Sequence, residues 1–260
     1  MTTALLQTRG LTMRFGGVVA VDHVDFTLQE RELRCVIGPT GAGKSTFFKC
    51  LTGQLRPSDG KVLFRGAPLA GIGSHAIARL GVGIKTQVPN VFDGLSAREN
   101  VWIAAAKVAA GRAAEQRTDE AMARMGIAAI GHRLVGQLAH GQRQLVELAM
   151  VIAPEPDLIL LDEPAAGMTD EEVDRLVDLI GELNRSHALV VVEHDMQFIR
   201  RIARTVTVFH QGAVLIEGDV AEILTNEQVR DVYLGKQAAS SPPLRGARDG
   251  EVPAQRAEGS

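Results

Sequence analysis

The strongest chemical signal in the chain is the run Gly38-Pro39-Thr40-Gly41-Ala42-Gly43-Lys44-Ser45-Thr46. It fits G-x-x-x-x-G-K-[ST], in which glycines let the backbone wrap phosphates so that successive N–H groups point inward. A helix N-terminus behind such a loop adds a favourable dipole. In this pattern Lys44 neutralises the β- and γ-phosphates of a nucleotide, and Ser45 gives its hydroxyl to Mg²⁺. A second signal is Leu158-Ile159-Leu160-Leu161-Asp162-Glu163, an apolar strand ending in two carboxylates. Taken alone, such a pair is as often a solvated turn, and the phosphate loop is what tips the balance. Ligands gather at the carboxyl ends of parallel strands, so Asp162 is expected to face the magnesium shell and Glu163 the water that attacks the γ-phosphate. A third signal is His194, directly after the run 188–193, where it would touch the γ-phosphate and orient the water or Glu163.

These residues need particular elements to hold them. The apolar run Leu33–Ile37, the glycine-rich loop and the helix formers Lys44–Leu51 give the strand, loop, helix order of a mononucleotide-binding unit. Residues 1–11 read as a first strand, and Val24, Phe26 and Leu28 alternate with Asp25 and Thr27 at the period of a half-buried one. From about 95 to 153 the chain is Ala-rich with helical spacing, as in Leu145, Leu148, Ala149 and Ile152, which predicts a helical insert. Strands and helices then alternate: 157–162, a helix from Asp170, 188–193, another helix, 206–209 and 214–216. Thr169 and Glu172 form a T-x-x-E capping box, and Val173, Leu176, Val177, Ile180 and Leu183 share one face of the helix that follows. The alternation predicts an α/β fold with a mostly parallel sheet. Beyond Gly235 the composition is Ala, Ser, Pro, Gly and Arg, so the ordered domain is expected at 1–235 with a disordered tail at 236–260.

Bulk properties narrow the partners. The net charge of −3, with both signs interspersed, argues against a nucleic-acid binder driven by electrostatics. Cys35 and Cys50 have no zinc or disulfide spacing and read as small buried hydrophobes in a reducing compartment. Residues 1–11 do not look like a secretory signal, and no segment approaches the roughly 18 apolar residues of a membrane span. Any membrane role is expected to come through a partner.

Taken together, the residues up to about Leu234 resemble the nucleotide-binding subunits of ATP-binding cassette (ABC) transporters. Three further pieces carry the likeness: Leu138-Ala139-His140-Gly141-Gln142-Arg143-Gln144, Gln87 within Lys85-Thr86-Gln87-Val88-Pro89, and Phe15 before Gly16-Gly17. The resemblance implies a P-loop NTPase-type core, an N-terminal antiparallel β subdomain and an α-helical subdomain inserted at about 90–153. It implies MgATP as the ligand, with Ala139, Gly141 and Gln142 in a signature loop that caps ATP on the opposing subunit. Gln87 would join Ser45 and Asp162 at the metal, and Phe15 would stack on adenine. Two departures stand out: Ala139 replaces the family's serine, and 166–169 lacks an aspartate the family often has there.

The implied partners are a second ATPase subunit, the same chain or a sister, and integral-membrane permeases reached through about 88–102, where Val91, Phe92, Leu95 and Trp102 would line a groove. The chain would then be cytoplasmic, peripheral on the inner face of the membrane. Finer likeness lies in Phe15-Gly16-Gly17-Val18-Val19-Ala20-Val21, the Leu-Ala-His-Gly-Gln signature and 162–172. It points to importers of branched-chain amino acids, urea or short amides, which work with a substrate-binding protein. The alternative is the ATPase of a lipid or polysaccharide exporter.

Overall fold

Two sheets organise the computed structural model, which describes residues 4–87 and 90–239. The chain opens with an antiparallel hairpin, β1 (Ala4–Phe15) and β2 (Val18–Gln29), and runs into the wholly buried β3 (Leu33–Ile37). The phosphate-loop run leads to α1 (Lys44–Leu51), followed by β4 (Asp59–Phe64), β5 (Ala67–Pro68), α2 (Ser74–Arg79) and β6 (Val82–Lys85). Next come α3 (Ala97–Ala105), α4 (Arg112–Arg124) and α5 (His140–Ile152). The remainder alternates through β7 (Leu158–Asp162), α6 (Asp170–Asn184), β8 (Ala188–Val192), α7 (Met196–Ile202) and β9 (Thr205–His210). It closes with β10 (Ala213–Asp219), α8 (Val220–Thr225) and α9 (Glu227–Ala239).

The smaller sheet is antiparallel in the order β2-β1-β4-β5. The larger runs β10-β9-β3-β8-β7-β6, all parallel except β10, which pairs antiparallel with β9. Strands buried on both faces read as apolar runs, as β7 and β8 do up to Asp162 and Val192; β3 departs from this at Arg34, which is buried and paired with Glu32 and Glu217. Their alternate residues feed two cores. Cys35, Ile37, Ile159, Leu161, Leu189 and Val191 pack with the insert helices, α6 and α7. Val36, Leu158, Leu160, Val190 and Val192 pack with α1 and the antiparallel sheet.

The α/β class, the antiparallel N-terminal sheet and the helical insert are all present, the insert's helices lying between Ala97 and Ile152. In β2, Val24, Phe26 and Leu28 are buried and Asp25 is exposed. The capping box of α6 is closed, with Thr169 N–H donating to Glu172 Oε2 at 3.0 Å and Glu172 N–H to Thr169 Oγ1 at 3.4 Å. Both cysteines are free and buried. The first strand runs on to Phe15, and α9 passes Gly235 to end at Ala239. Val88, Pro89 and residues 240–260, most of the expected tail, lie outside the described residues. Among the described residues no helix is long and apolar enough to cross a membrane.

Candidate active site

The phosphate loop joins the buried end of β3 to the first turn of α1. Gly43, the N-cap of α1, has φ 103°, and a Cβ there would run into the Ala20 carbonyl, so the position demands glycine. Lys44 folds back across the loop: its Nζ donates to the carbonyl oxygens of Gly38 at 2.6 Å and Pro39 at 3.2 Å. The ammonium is thereby held within the loop rather than released to solvent. Thr40, Gly41, Ala42, Gly43, Lys44, Ser45 and Thr46 line a cleft of about 470 Å³, together with Val18, Val19 and Ala20 of the hairpin. The cleft therefore faces a helix N-terminus and a row of loop residues, a setting that favours anionic groups.

Glu163 and His194 close the other side of the cleft. Sheet order explains how residues so far apart in sequence meet. The parallel strands β3, β8, β7 and β6 are consecutive neighbours, so their carboxyl ends present the phosphate loop, His194, the Asp162–Glu163 pair and Gln87 along one edge. Glu163 Oε2 accepts from Gln87 Nε2 at 3.0 Å, and Glu163 Oε1 lies 3.4 Å from His194 Nδ1. The Glu163 backbone takes a left-handed φ of 47° while its N–H donates to Val192 O at 2.9 Å, which turns the side chain out of the strand and over the cleft.

Asp162 is 7 % exposed. Burial, then the charge of Glu163, pushes its acid up to about 6, against the pull of Lys49 and Lys85. Such a crowded negative corner is one that a dication would relieve. With the Ser45 hydroxyl and the Gln87 amide oxygen it offers an all-oxygen donor set, which suits Mg²⁺. Among the described residues no three His, Cys, Asp or Glu side chains converge as a metal cage.

Several of the residues named from the sequence lie outside this cleft, among them the signature loop, which was expected to act on the opposing subunit. Ala139, Gly141 and Gln142 do not line the cleft. Ala139 is the exposed N-cap of α5, where its N–H donates to Gln142 Oε1 at 3.2 Å and no side-chain cap is made. Gly141 lies under the Glu172 carboxylate, and His140 Nε2 is 3.3 Å from Ala166 O. Phe15 ends β1 at 48 % exposure but is not among the cleft residues, whereas the exposed Val18 and Val19 are. Phe92 and Trp102 are also exposed, yet a separate groove of about 500 Å³ between α2, β6, α3 and α5 is lined by Asn90, Val108 and Met150 rather than by Val91, Phe92, Leu95 or Trp102.

The sequence reading also missed Glu193. It is 2 % exposed and accepts from the backbone N–H groups of His194 at 3.0 Å, Asp195 at 3.5 Å and Ala165 at 3.3 Å. This carboxylate thus fixes the turns that follow both β8 and Glu163. The available signal was a charged residue closing an otherwise apolar strand.

The chain is similar to known proteins along most of its length. The family model described as ABC transporter matches residues 21–166. The high-affinity branched-chain amino acid transport ATP-binding protein BraF of Pseudomonas aeruginosa is 35 % identical over 254 residues, 91 % of this chain and 100 % of that one. The corresponding protein LivG of Escherichia coli is likewise 35 % identical, with the same coverage of both chains. In fold the chain is similar to the crystal structure of MJ1267, an ATP-binding cassette of an ABC transporter in its ADP conformation. The TM-score is 0.81 at 22 % identity, over 90 % of this chain and 100 % of that one. Matched along nearly all its length by such proteins, this chain belongs to the ABC transporter family, as one of its ATP-hydrolysing subunits.

Proposed function

We propose that the chain energises an importer: it binds MgATP, pairs with a second cassette, and transmits the cycle of closure and release to membrane permeases. The observation that carries this reading is the Glu163 carboxylate, held between Gln87 and His194 on the wall facing the phosphate loop. Phosphoryl transfer needs positioning and charge neutralisation more than covalent chemistry. The loop residues 38–46 cradle the phosphates, and Lys44 exchanges its two carbonyl partners for phosphate oxygens. Ser45 and Gln87 would hold Mg²⁺, with Asp162 contributing its carboxylate. When bound, the ion neutralises charge on the β- and γ-phosphates. Glu163 polarises the attacking water, a contribution of about 10² to 10⁴ in rate, while His194 steadies that water and the γ-phosphate. Val18 and Val19 give the adenine an apolar surface beside Phe15.

The signature loop, with Ala139 exposed, Gln142 half-buried and Gly141 buried, lies outside its own chain's cleft, which supports a role on the opposing subunit's ATP. The groove between the core and the helical insert suits a permease helix, and a substrate-binding protein would act on the far side of the membrane. On this reading the chain works in the cytoplasm, on the inner face of the membrane. The names of BraF and LivG support branched-chain amino acids as the cargo, and the 162–172 stretch keeps urea and short amides in the same reading.

Glu163→Gln tests the assignment. The variant is expected to bind ATP, lose at least about a hundredfold in turnover and accumulate as a closed dimer on sizing columns, whereas Lys44→Ala fails at nucleotide binding. Normal phosphate release by Glu163→Gln would refute it.

A further inference from the structure

A single buried carboxylate ties down the chain on both sides of Gln87. Glu147 projects from α5, the helix whose first turn carries the signature loop, and is 3 % exposed. Its Oε2 lies 3.3 Å from Nζ of Lys85, itself 1 % exposed, two residues before Gln87. Its Oε1 accepts the backbone N–H of Asn90, three residues after Gln87, at 3.0 Å. Stability alone is a poor explanation, because a buried ion pair commonly contributes no more than a well-packed apolar pair of similar volume. What the pair supplies is geometry. Gln87 itself touches Glu163 at 3.0 Å, so a continuous set of contacts runs from the signature helix to the hydrolytic carboxylate of the same chain.

We infer that Glu147 is a positioning residue: by clamping the chain before and after Gln87 to the signature helix, it sets where the Gln87 amide stands relative to Glu163 and the metal. The inference rests on the assignment of Gln87 to Mg²⁺ made above. Lys85 is the less clean probe, since its charge also bears on Asp162.

The test is equilibrium binding of a non-hydrolysed fluorescent ATP analogue to the purified full-length chain, titrated with Mg²⁺ and repeated in chelator. Glu147→Ala is expected to raise the Mg²⁺ midpoint by about tenfold, the lower end for loss of a group supporting a metal ligand, with metal-free affinity unchanged. Gln87→Ala should raise it similarly, and the double variant should match Gln87→Ala alone, because Glu147 acts through that residue. A wild-type midpoint in Glu147→Ala beside a shifted one in Gln87→Ala overturns the clamp and leaves the metal assignment standing. An unshifted Gln87→Ala overturns both. Should Glu147→Ala not fold, Glu147→Gln keeps the shape and an acceptor for Asn90 while removing the ionic tie. It is expected to shift the midpoint by about threefold, and no shift there overturns the inference.

Discussion

At the scale of single residues, the site is a set of groups each held in one state by a near neighbour. Lys44 is parked on two loop carbonyls, Glu163 is turned outward by a left-handed backbone, and Glu193 gathers three backbone amides behind it. Ala139 is the exception, an N-cap with no side-chain acceptor at the start of a 13-residue helix. Serine at that place accepts an amide of the first turn and stabilises the helix by ~1 kcal/mol. Ala139→Ser is therefore expected to raise the melting temperature by about 2–4 °C. If the signature loop serves the opposing subunit as proposed, the added hydroxyl is also expected to bond its γ-phosphate, with a gain of about fivefold in turnover at low ATP for one added hydrogen bond. Thermal unfolding and phosphate release check the two halves separately, and no change in either would show that the loop's own amides already suffice.

Elements determine which of these groups can meet. A parallel strand must be followed by a crossover, so each parallel strand of the larger sheet delivers its next loop to the same edge. The return crossings are where the fold hides its polar exceptions. His187, between α6 and β8, donates from Nδ1 to Pro156 O at 2.6 Å, while its Nε2 is buried without a hydrogen-bond partner. Burial, aided by the charge of Arg124, lowers its pKa against the Pro156 hydrogen bond and the Asp157 and Glu155 carboxylates. The unfolded chain takes up that proton near pH 6.5, while the folded one does so only at lower pH. Protons bound by the unfolded state favour it, so this residue removes stability as pH falls below about 6.5 and has no effect well above it. His187→Gln, which keeps a donor for Pro156, should show a flatter decline in melting temperature between pH 7 and pH 5 than the native chain. Parallel declines would mean that His187 protonates as readily folded as unfolded.

For the whole molecule, the consequence is an incomplete machine. One chain supplies the phosphate loop, Glu163 and His194 to a cleft that its own Ala139, Gly141 and Gln142 do not reach. Two inactive variants should therefore repair each other. Lys44→Ala removes the phosphate-binding ammonium and leaves the signature loop intact. Ala139→Asp keeps a capped α5 but sets a negative charge against the γ-phosphate of the opposing cleft. Mixed together, the two variants form one cleft with both parts intact, and phosphate release should recover to a level neither shows alone. Absence of recovery would mean that each cleft is completed within its own chain or by a different cassette.

What the sequence determined by itself is contiguous or periodic. The phosphate loop needs glycine at fixed offsets, the capping box of α6 needs Thr169 and Glu172 three apart, and the doubly buried strands need unbroken apolar runs; each is a condition on neighbours along the chain. The start of α1 at Lys44 and of α6 at Asp170 could be read for that reason. Only the tertiary structure decided which strand lies beside which, because strand order leaves no trace in periodicity. That order brings Gln87 onto Glu163 across 76 residues, puts Val18 and Val19 on the cleft wall, and moves the groove away from Phe92 and Trp102. The pairing of Lys85 with Glu147 belongs to the same class: two charges 62 positions apart are buried together because β6 and α5 meet.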